Sequence, residues 1–380
     1  MHIQDNDKTT RNRTRQSSLG GRTRESKTTG NKAAKIKRER RKQTVQCVVY
    51  FALIGLSCFC IWRMEAGRDW SPEVTTPSRQ IILTDEEPDE DGRQDSNNES
   101  LFSADDITLD SLYSTYAILM DVETGQVLAQ KNSDKRMYPA SMTKLMAALV
   151  AVEYTEDWNE AVEIPYEIFS QLYIEHASLA GFEPEEKVMP KDLLYGMLLP
   201  SGAECCTTYA MWLAGNEDTF VEWMNLKAVE LGMENTHFAN TTGLHDEEHY
   251  STAEDMATLL YQCIQDETIR TILSTETYQT AATAKHPQGL TLESTLFQTI
   301  NESKALTKKL KTSQTKGVML LGGKTGYTSQ AGMCLASFAS IGGREYILVT
   351  ANAEGNHYTE PLHIEDALNV YYQIATGVTK

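Results

Sequence analysis

Val45 to Trp62 is an uncharged, mostly apolar run of about 18 residues, and it divides the chain into parts that cannot share one core. Its flanks differ in sign. Residues 1 to 43 carry 14 Lys and Arg against 4 Asp and Glu, which leaves 21 against 49 for the rest from chain totals of 35 and 53. The run has a long polar segment before it and ends in Cys-Phe-Cys-Ile-Trp-Arg63, unlike the short leader and small-residue cleavage site of a removed signal. We therefore expect residues 44–62 to be an uncleaved membrane anchor and residues 1–43 a basic cytoplasmic tail. The acidic remainder is then extracytoplasmic, attached to the cell membrane by a single span. The same basic tail without a span beside it would read as nucleic-acid binding, but no aromatic residue interrupts its densest part, Lys35 to Lys42, to stack on bases, so no nucleic-acid partner is expected.

Residues 63–110 are rich in Asp, Glu, Ser, Pro and Asn, with Asp85-Glu-Glu-Pro-Asp-Glu-Asp91 at their centre. That composition buries too little apolar surface to fold, and predicts an acidic disordered linker with a mean reach of roughly 40 Å. Residues 111–380 then form one large domain.

Within it, β-rich runs lie at both ends: Tyr116 to Met120 and Gln126 to Gln130, then Val318 to Leu321, Met333 to Phe338 and Tyr346 to Thr350, with Gly342-Gly343 turning the last hairpin. Helices are predicted near 141–154, 203–214, 217–231 and 253–265, with Ser251 or Thr252 capping the last of these. Ile364, Ala367, Leu368, Tyr371 and Ile374 mark a closing helix, and no further β-rich domain is expected beyond it. The pattern is α+β: an antiparallel sheet with helices packed on both sides.

Ser141-Met-Thr-Lys144 opens the first helix, whose apolar stripe is Met142, Leu145, Met146, Leu149 and Val152. Three positions apart on a helix, Ser141 and Lys144 share a face, which pairs a nucleophile with a base. Spacing alone is weak evidence, because Ser313-Gln-Thr-Lys316 matches too; that copy sits in the polar run Lys308 to Lys316 and is expected to be a solvated loop. Lys324-Thr-Gly326, inside Gly322 to Thr328, adds an independent constraint. Its glycines let a strand approach a ligand closely, and Lys324, Thr325 and Thr328 offer a cation and hydroxyls for a carboxylate. A backbone N–H just past Gly326 and that of Ser141 would make a pair of oxyanion donors.

With Ser201-Gly-Ala203 between them, these motifs resemble those of the penicillin-interacting serine transferases, and among them the low-molecular-mass D-alanyl-D-alanine carboxypeptidases. The resemblance extends to the hairpin Ala117 to Asn132, Arg136 to Lys144, Asp192 to Ser201, Leu231 to Phe238, Thr242-Gly-Leu-His-Asp246, His249-Tyr-Ser-Thr252 and Gly323 to Thr328. It implies that fold, with Ser141, Lys144 and Ser201 catalytic and Lys324, Thr325, Gly326, Tyr327 and Thr328 binding substrate. The substrate implied is a peptidoglycan stem peptide ending in D-Ala-D-Ala, with β-lactams as inhibitors and no cofactor or metal. The chain departs from the family at Ala203, where an asparagine is usual and a methyl group makes no hydrogen bond.

Three other chemistries share part of this pattern. A catalytically impaired wall-binding relative would keep the cleft without acylating. A serine β-lactamase needs a group to activate the deacylating water, and no convincing Glu-x-x-Leu-Asn segment lies between Trp223 and Lys324. His245-Asp-Glu-Glu-His249 fits a zinc-peptidase pattern, but its histidines converge only on a helix, and this polar stretch after Gly243 reads as a loop. Cys205 and Cys206 read as small buried helix residues, a bridge from them to Cys263 or Cys334 being left open.

Overall fold

The computed structural model describes residues 107–356 and 358–377. The expected tail, anchor and nearly all of the linker lie outside them. Among the described residues, no helix is long and apolar enough to cross a membrane.

Two strands, β1 (Tyr116–Asp121) and β2 (Val127–Lys131), form the first hairpin. A 3-10 turn (Ala140–Thr143) then leads into α1 (Lys144–Tyr154). Next come β3 (Val162–Glu163), α2 (Ile168–Ile174), β4 (Lys187–Val188), α3 (Pro190–Leu198), α4 (Ala203–Ala214) and α5 (Glu217–Glu230). After these follow α6 (Ala253–Gln265), α7 (Glu267–Leu273), β5 (Thr277–Gln279), β6 (Thr291–Glu293), α8 (Thr295–Glu302) and α9 (Lys304–Gln314). The chain returns to the main sheet through β7 (Val318–Thr328), β8 (Gly332–Ile341) and β9 (Arg344–Ala353), and α10 (Leu362–Thr376) follows.

The main sheet is antiparallel with strand order β2-β1-β9-β8-β7, so the first hairpin joins the sheet through β9 and β7 forms one edge. Side chains alternate between two cores, as the two-residue period of a strand requires. On β9, Ile347, Val349 and Ala351 enter one apolar cluster while Tyr346 and Leu348 enter the other. On β8, Ala336 and Phe338 face the first cluster, and Leu335 and Ala339 the second. The larger cluster surrounds α1, whose residues Lys144 to Ala151 are all buried, so this is a central helix rather than an amphipathic one. Against the other face lie α10, Leu306 of α9, and Leu109 and Leu112.

Three expectations are corrected by this architecture. The strand expected over Val318 to Leu321 does not stop there but continues through Lys324-Thr-Gly326 as β7, which runs for 11 residues through a register shift at Leu320/Gly322. The helix expected from residue 141 is α-helical only from Lys144. Before it, after Pro139, residues 140–143 wind more tightly, with Met142 N–H donating to Pro139 O and the Thr143 hydroxyl to Ala140 O (2.7 Å). Finally, the run Lys308 to Lys316 is mostly the exposed face of α9, because Leu306 and Leu310 anchor that helix to the second core and the Ser303 hydroxyl caps it. Ser313 is buried and donates to Lys309 O.

Candidate active site

The cleft lies beside β7, where this strand meets the 3-10 turn and the start of α4. Ser141 sits in the turn one residue after Ala140, which has φ +47°, a left-handed conformation that a side-chain-bearing residue adopts at a cost. Gly326 faces it across the cleft floor. A Cβ there would stand 3.0 Å from Ser141 N, 3.1 Å from Ala140 Cβ and 3.1 Å from Pro139 O, so the strand approaches this turn closely because residue 326 has no side chain.

Lys144 is 2% exposed, and its Nζ donates to Ser141 Oγ at 3.1 Å and to the Thr242 carbonyl at 2.5 Å. Burial holds its amine below the usual lysine range, an effect that nearby Cys206, Glu204 and Cys205 partly oppose. Thr242 is presented by an Asx turn, in which Asn240 Oδ1 accepts from Gly243 N–H at 2.8 Å. Sequence reasoning had not given this carbonyl a role. Its signal was Gly243, which has φ +82°.

Lys324 is also buried, at 1% exposure. It does not reach into open cleft, as a simple carboxylate clamp would; its Nζ donates to Ser201 Oγ and to Thr325 O, both at 3.0 Å. Burial, and then the neighbouring Lys144, hold its amine well below the normal range. Ser201 is buried at φ +66°, a second left-handed residue beside the site. The Thr325 hydroxyl pairs with that of Thr295 at 2.6 Å, and the Thr328 hydroxyl accepts from Ala331 N–H at 3.0 Å, so both are held by protein partners.

Two cavities meet at Ser141. One, of about 880 Å³, runs past Lys144, Ala203, Thr207, Glu217 and Thr242. The other, of about 840 Å³, runs past Ser201, Thr325, Gly326 and Thr295. Ser141, Ser178 and Tyr327 border both. Seven of the eight residues expected at the site therefore border these two cavities, and the eighth, Lys324, is buried and reaches them only through Ser201.

His245 and His249 lie in a loop and diverge. His245 packs edge-on against Tyr138, whereas His249 is buried with both ring nitrogens engaged. Its Nδ1 accepts from Ala239 N–H at 3.1 Å, which puts the proton on Nε2. Nε2–H then donates to the Thr143 hydroxyl at 2.7 Å, and that hydroxyl donates to Ala140 O. Burial depresses the imidazole to about 3, so neutral His249 braces the turn that carries Ser141. Cys205, Cys206, Cys263 and Cys334 are all buried and free.

The sheet, the serine–lysine pair and the glycine-backed strand define the DD-peptidase fold. A structure similar to this chain is the DD-transpeptidase of Streptomyces K15, with 26% identity and a TM-score of 0.60 over 72% of this chain and all of that one. Residues 103–355 match the family model described as D-alanyl-D-alanine carboxypeptidase, and the chain belongs to that peptidase family. Relatives include the D-alanyl-D-alanine carboxypeptidase DacF of Bacillus subtilis, 34% identical over 62% of this chain and 57% of its own length. A D-alanyl-D-alanine endopeptidase of Pseudomonas aeruginosa is 30% identical over 70% of this chain and 78% of its own. The match to the Bacillus subtilis relative thus spans little more than half of that protein.

Proposed function

We propose that the protein is a serine D-Ala-D-Ala carboxypeptidase acting on peptidoglycan stem peptides through an acyl-enzyme. The observation that carries this is the 3.1 Å contact between Ser141 Oγ and a buried Lys144 whose amine is held below the usual range. A neutral amine at that distance takes the hydroxyl proton as Ser141 attacks the carbonyl between the two D-alanines. The backbone N–H of Ser141 and one on β7 past Gly326 receive the developing oxyanion. The proton taken up by Lys144 is handed on through Ser201, which is gripped by Lys324, to the departing amine, so Ser201 ends as a hydroxyl, Lys144 is neutral again, and terminal D-alanine leaves as the Ser141 ester forms. Water then attacks the ester, releasing the shortened peptide and restoring the serine. Thr325, Gly326, Tyr327 and Thr328 line the path of the bound peptide along β7. The names of the relatives include carboxypeptidase, endopeptidase and transpeptidase, reactions that differ in the group leaving or accepting the acyl chain.

A membrane anchor at residues 44–62, with residues 1–43 cytoplasmic and an acidic spacer after it, would hold this domain outside the cell near its wall substrate. The test is incubation of the full chain with a labelled penicillin and, separately, with a peptide ending in D-Ala-D-Ala. We expect label on Ser141, release of D-alanine, and loss of both in Ser141→Ala and in Lys144→Ala. Absence of both label and release in the wild-type chain sinks the enzyme reading, and rapid turnover of the penicillin would make the protein a β-lactamase.

A further inference from the structure

Residue 203 offers only a methyl group to the cleft, so any hydrogen bond to the acyl side of a substrate must come from another residue. The backbone N–H of residue 203 and the carboxyl of residue 204 both turn toward residues 178–181. Ala203 N–H donates to Ser178 O at 2.8 Å, and Glu204 Oε1 accepts from Ala180 N–H at 2.7 Å and Gly181 N–H at 3.0 Å. The intervening Gly202 lies tight against the same segment, where a Cβ would meet Ala180 Cβ at 2.7 Å.

Glu204 is fully buried, and its second oxygen, Oε2, has no hydrogen-bond partner. Burial pushes the carboxyl up to about 7, against the pull of the backbone N–H groups. An acid in such a place is costly, and what it gains is the grip on residues 180 and 181. That grip fixes Ser178, whose side chain is exposed where the two halves of the cleft meet, beside Ser141 and Tyr327. Its carbonyl is spent on Ala203, while its hydroxyl can donate one hydrogen bond and accept others.

We propose that the Ser178 hydroxyl makes the substrate-facing hydrogen bond that Ala203 cannot, and that Glu204 is the positioning residue that holds Ser178 in the cleft. The assignment rests on the acyl-transfer reading of Ser141. The Ser178 hydroxyl donates to the amide carbonyl on the acyl side of the bound peptide, from where the two cavities meet.

A double-mutant cycle on the full chain tests this, reading the rate of Ser141 acylation by labelled penicillin and kcat/KM for a D-Ala-D-Ala peptide. Ser178→Ala should lower both by about tenfold, the equivalent of one net hydrogen bond. Ala203→Asn should restore most of that loss in the Ser178→Ala background while changing the wild type little, because the new amide duplicates a contact already made. Glu204→Ala should lower acylation as Ser178→Ala does and add little to it, whereas Glu204→Gln, which keeps an acceptor oxygen, should recover the rate. Rescue by glutamine separates positioning from a general loss of folding. Wild-type acylation by Ser178→Ala, or an equal gain from Ala203→Asn in both backgrounds, overturns the assignment while leaving the acyl-transfer reading intact. An unlabelled wild-type chain would remove both.

Discussion

Gly243→Ala probes how tightly the turn carrying Ser141 is wedged against the loop that holds Lys144. A Cβ at residue 243 would stand 1.9 Å from Ala140 O and 2.4 Å from Ala140 C, both backbone atoms that cannot rotate away. The residue also has φ +82°, a conformation that costs an L side chain about 1–2 kcal/mol. Gly215, which ends α4, provides the control: it has the same φ of +82°, with nothing within 4 Å of its Cβ position. Gly215→Ala should therefore cost only the conformational term. Gly243→Ala adds an overpacking term of about 1–3 kcal/mol, for a total of about 2–5 kcal/mol. The clash must also displace either Thr242 or the Ala140–Ser141 turn, and so lengthen the approach of Lys144 to Ser141. A displacement of about 1 Å at reacting groups costs about 100-fold in rate. Urea unfolding and penicillin acylation of the two variants measure both effects. Equal stability losses, or full acylation by Gly243→Ala, would refute the reasoning.

Three further outcomes follow from the same geometry. The folded value for His249, about 3, lies below the ordinary 6.5, so its stabilisation is complete above pH 6.5 and drains away as pH falls toward 3, reaching about 5 kcal/mol. Urea unfolding at pH 7 and pH 4 should show a smaller acid loss in His249→Gln than in wild type, and matching losses would refute the assignment. Lys324→Met should lower acylation at least tenfold, because Ser201 loses its donor, yet leave the urea midpoint unchanged or higher, because a buried amine is replaced by an apolar chain; a large drop in the midpoint would contradict this. Thr252→Ala removes the hydroxyl that accepts from Asp255 N–H at 3.1 Å and should cost about 1 kcal/mol by the same assay, with no loss contradicting the cap.

Legibility in the sequence followed the range of the interactions. α4 and α6 were readable to the residue because their signals are local: a cap at Thr252, apolar periodicity, and Gly215 at the end of α4. The pairing of Ser141 with Lys144 was equally local, being one helical turn. What escaped was set by distant partners. The inward course of Lys324 depends on Ser201, 123 positions away, and the role of Thr242 depends on Lys144, 98 positions away. α9 was misread because its apolar side is only Leu306 and Leu310, too thin a stripe to stand out among four lysines. The bonds from the Glu204 carboxyl to residues 180 and 181, more than twenty positions away, left no mark in local spacing.

The position of β7 at the sheet edge has a consequence for the behaviour of the protein in concentrated solution. An outer strand with one unpaired row of backbone groups is a template for any extended chain, including another copy's strand, and therefore an aggregation hazard. This one is 11 residues long and carries no acidic residue along its length. Among the described residues, neither a proline within it nor a covering strand blunts it. It packs the 3-10 turn of Ser141 and helix α8 against it instead, which restricts access to a slot and screens a flat edge from its neighbours. Loosening that turn would therefore be expected to cost solubility as well as activity.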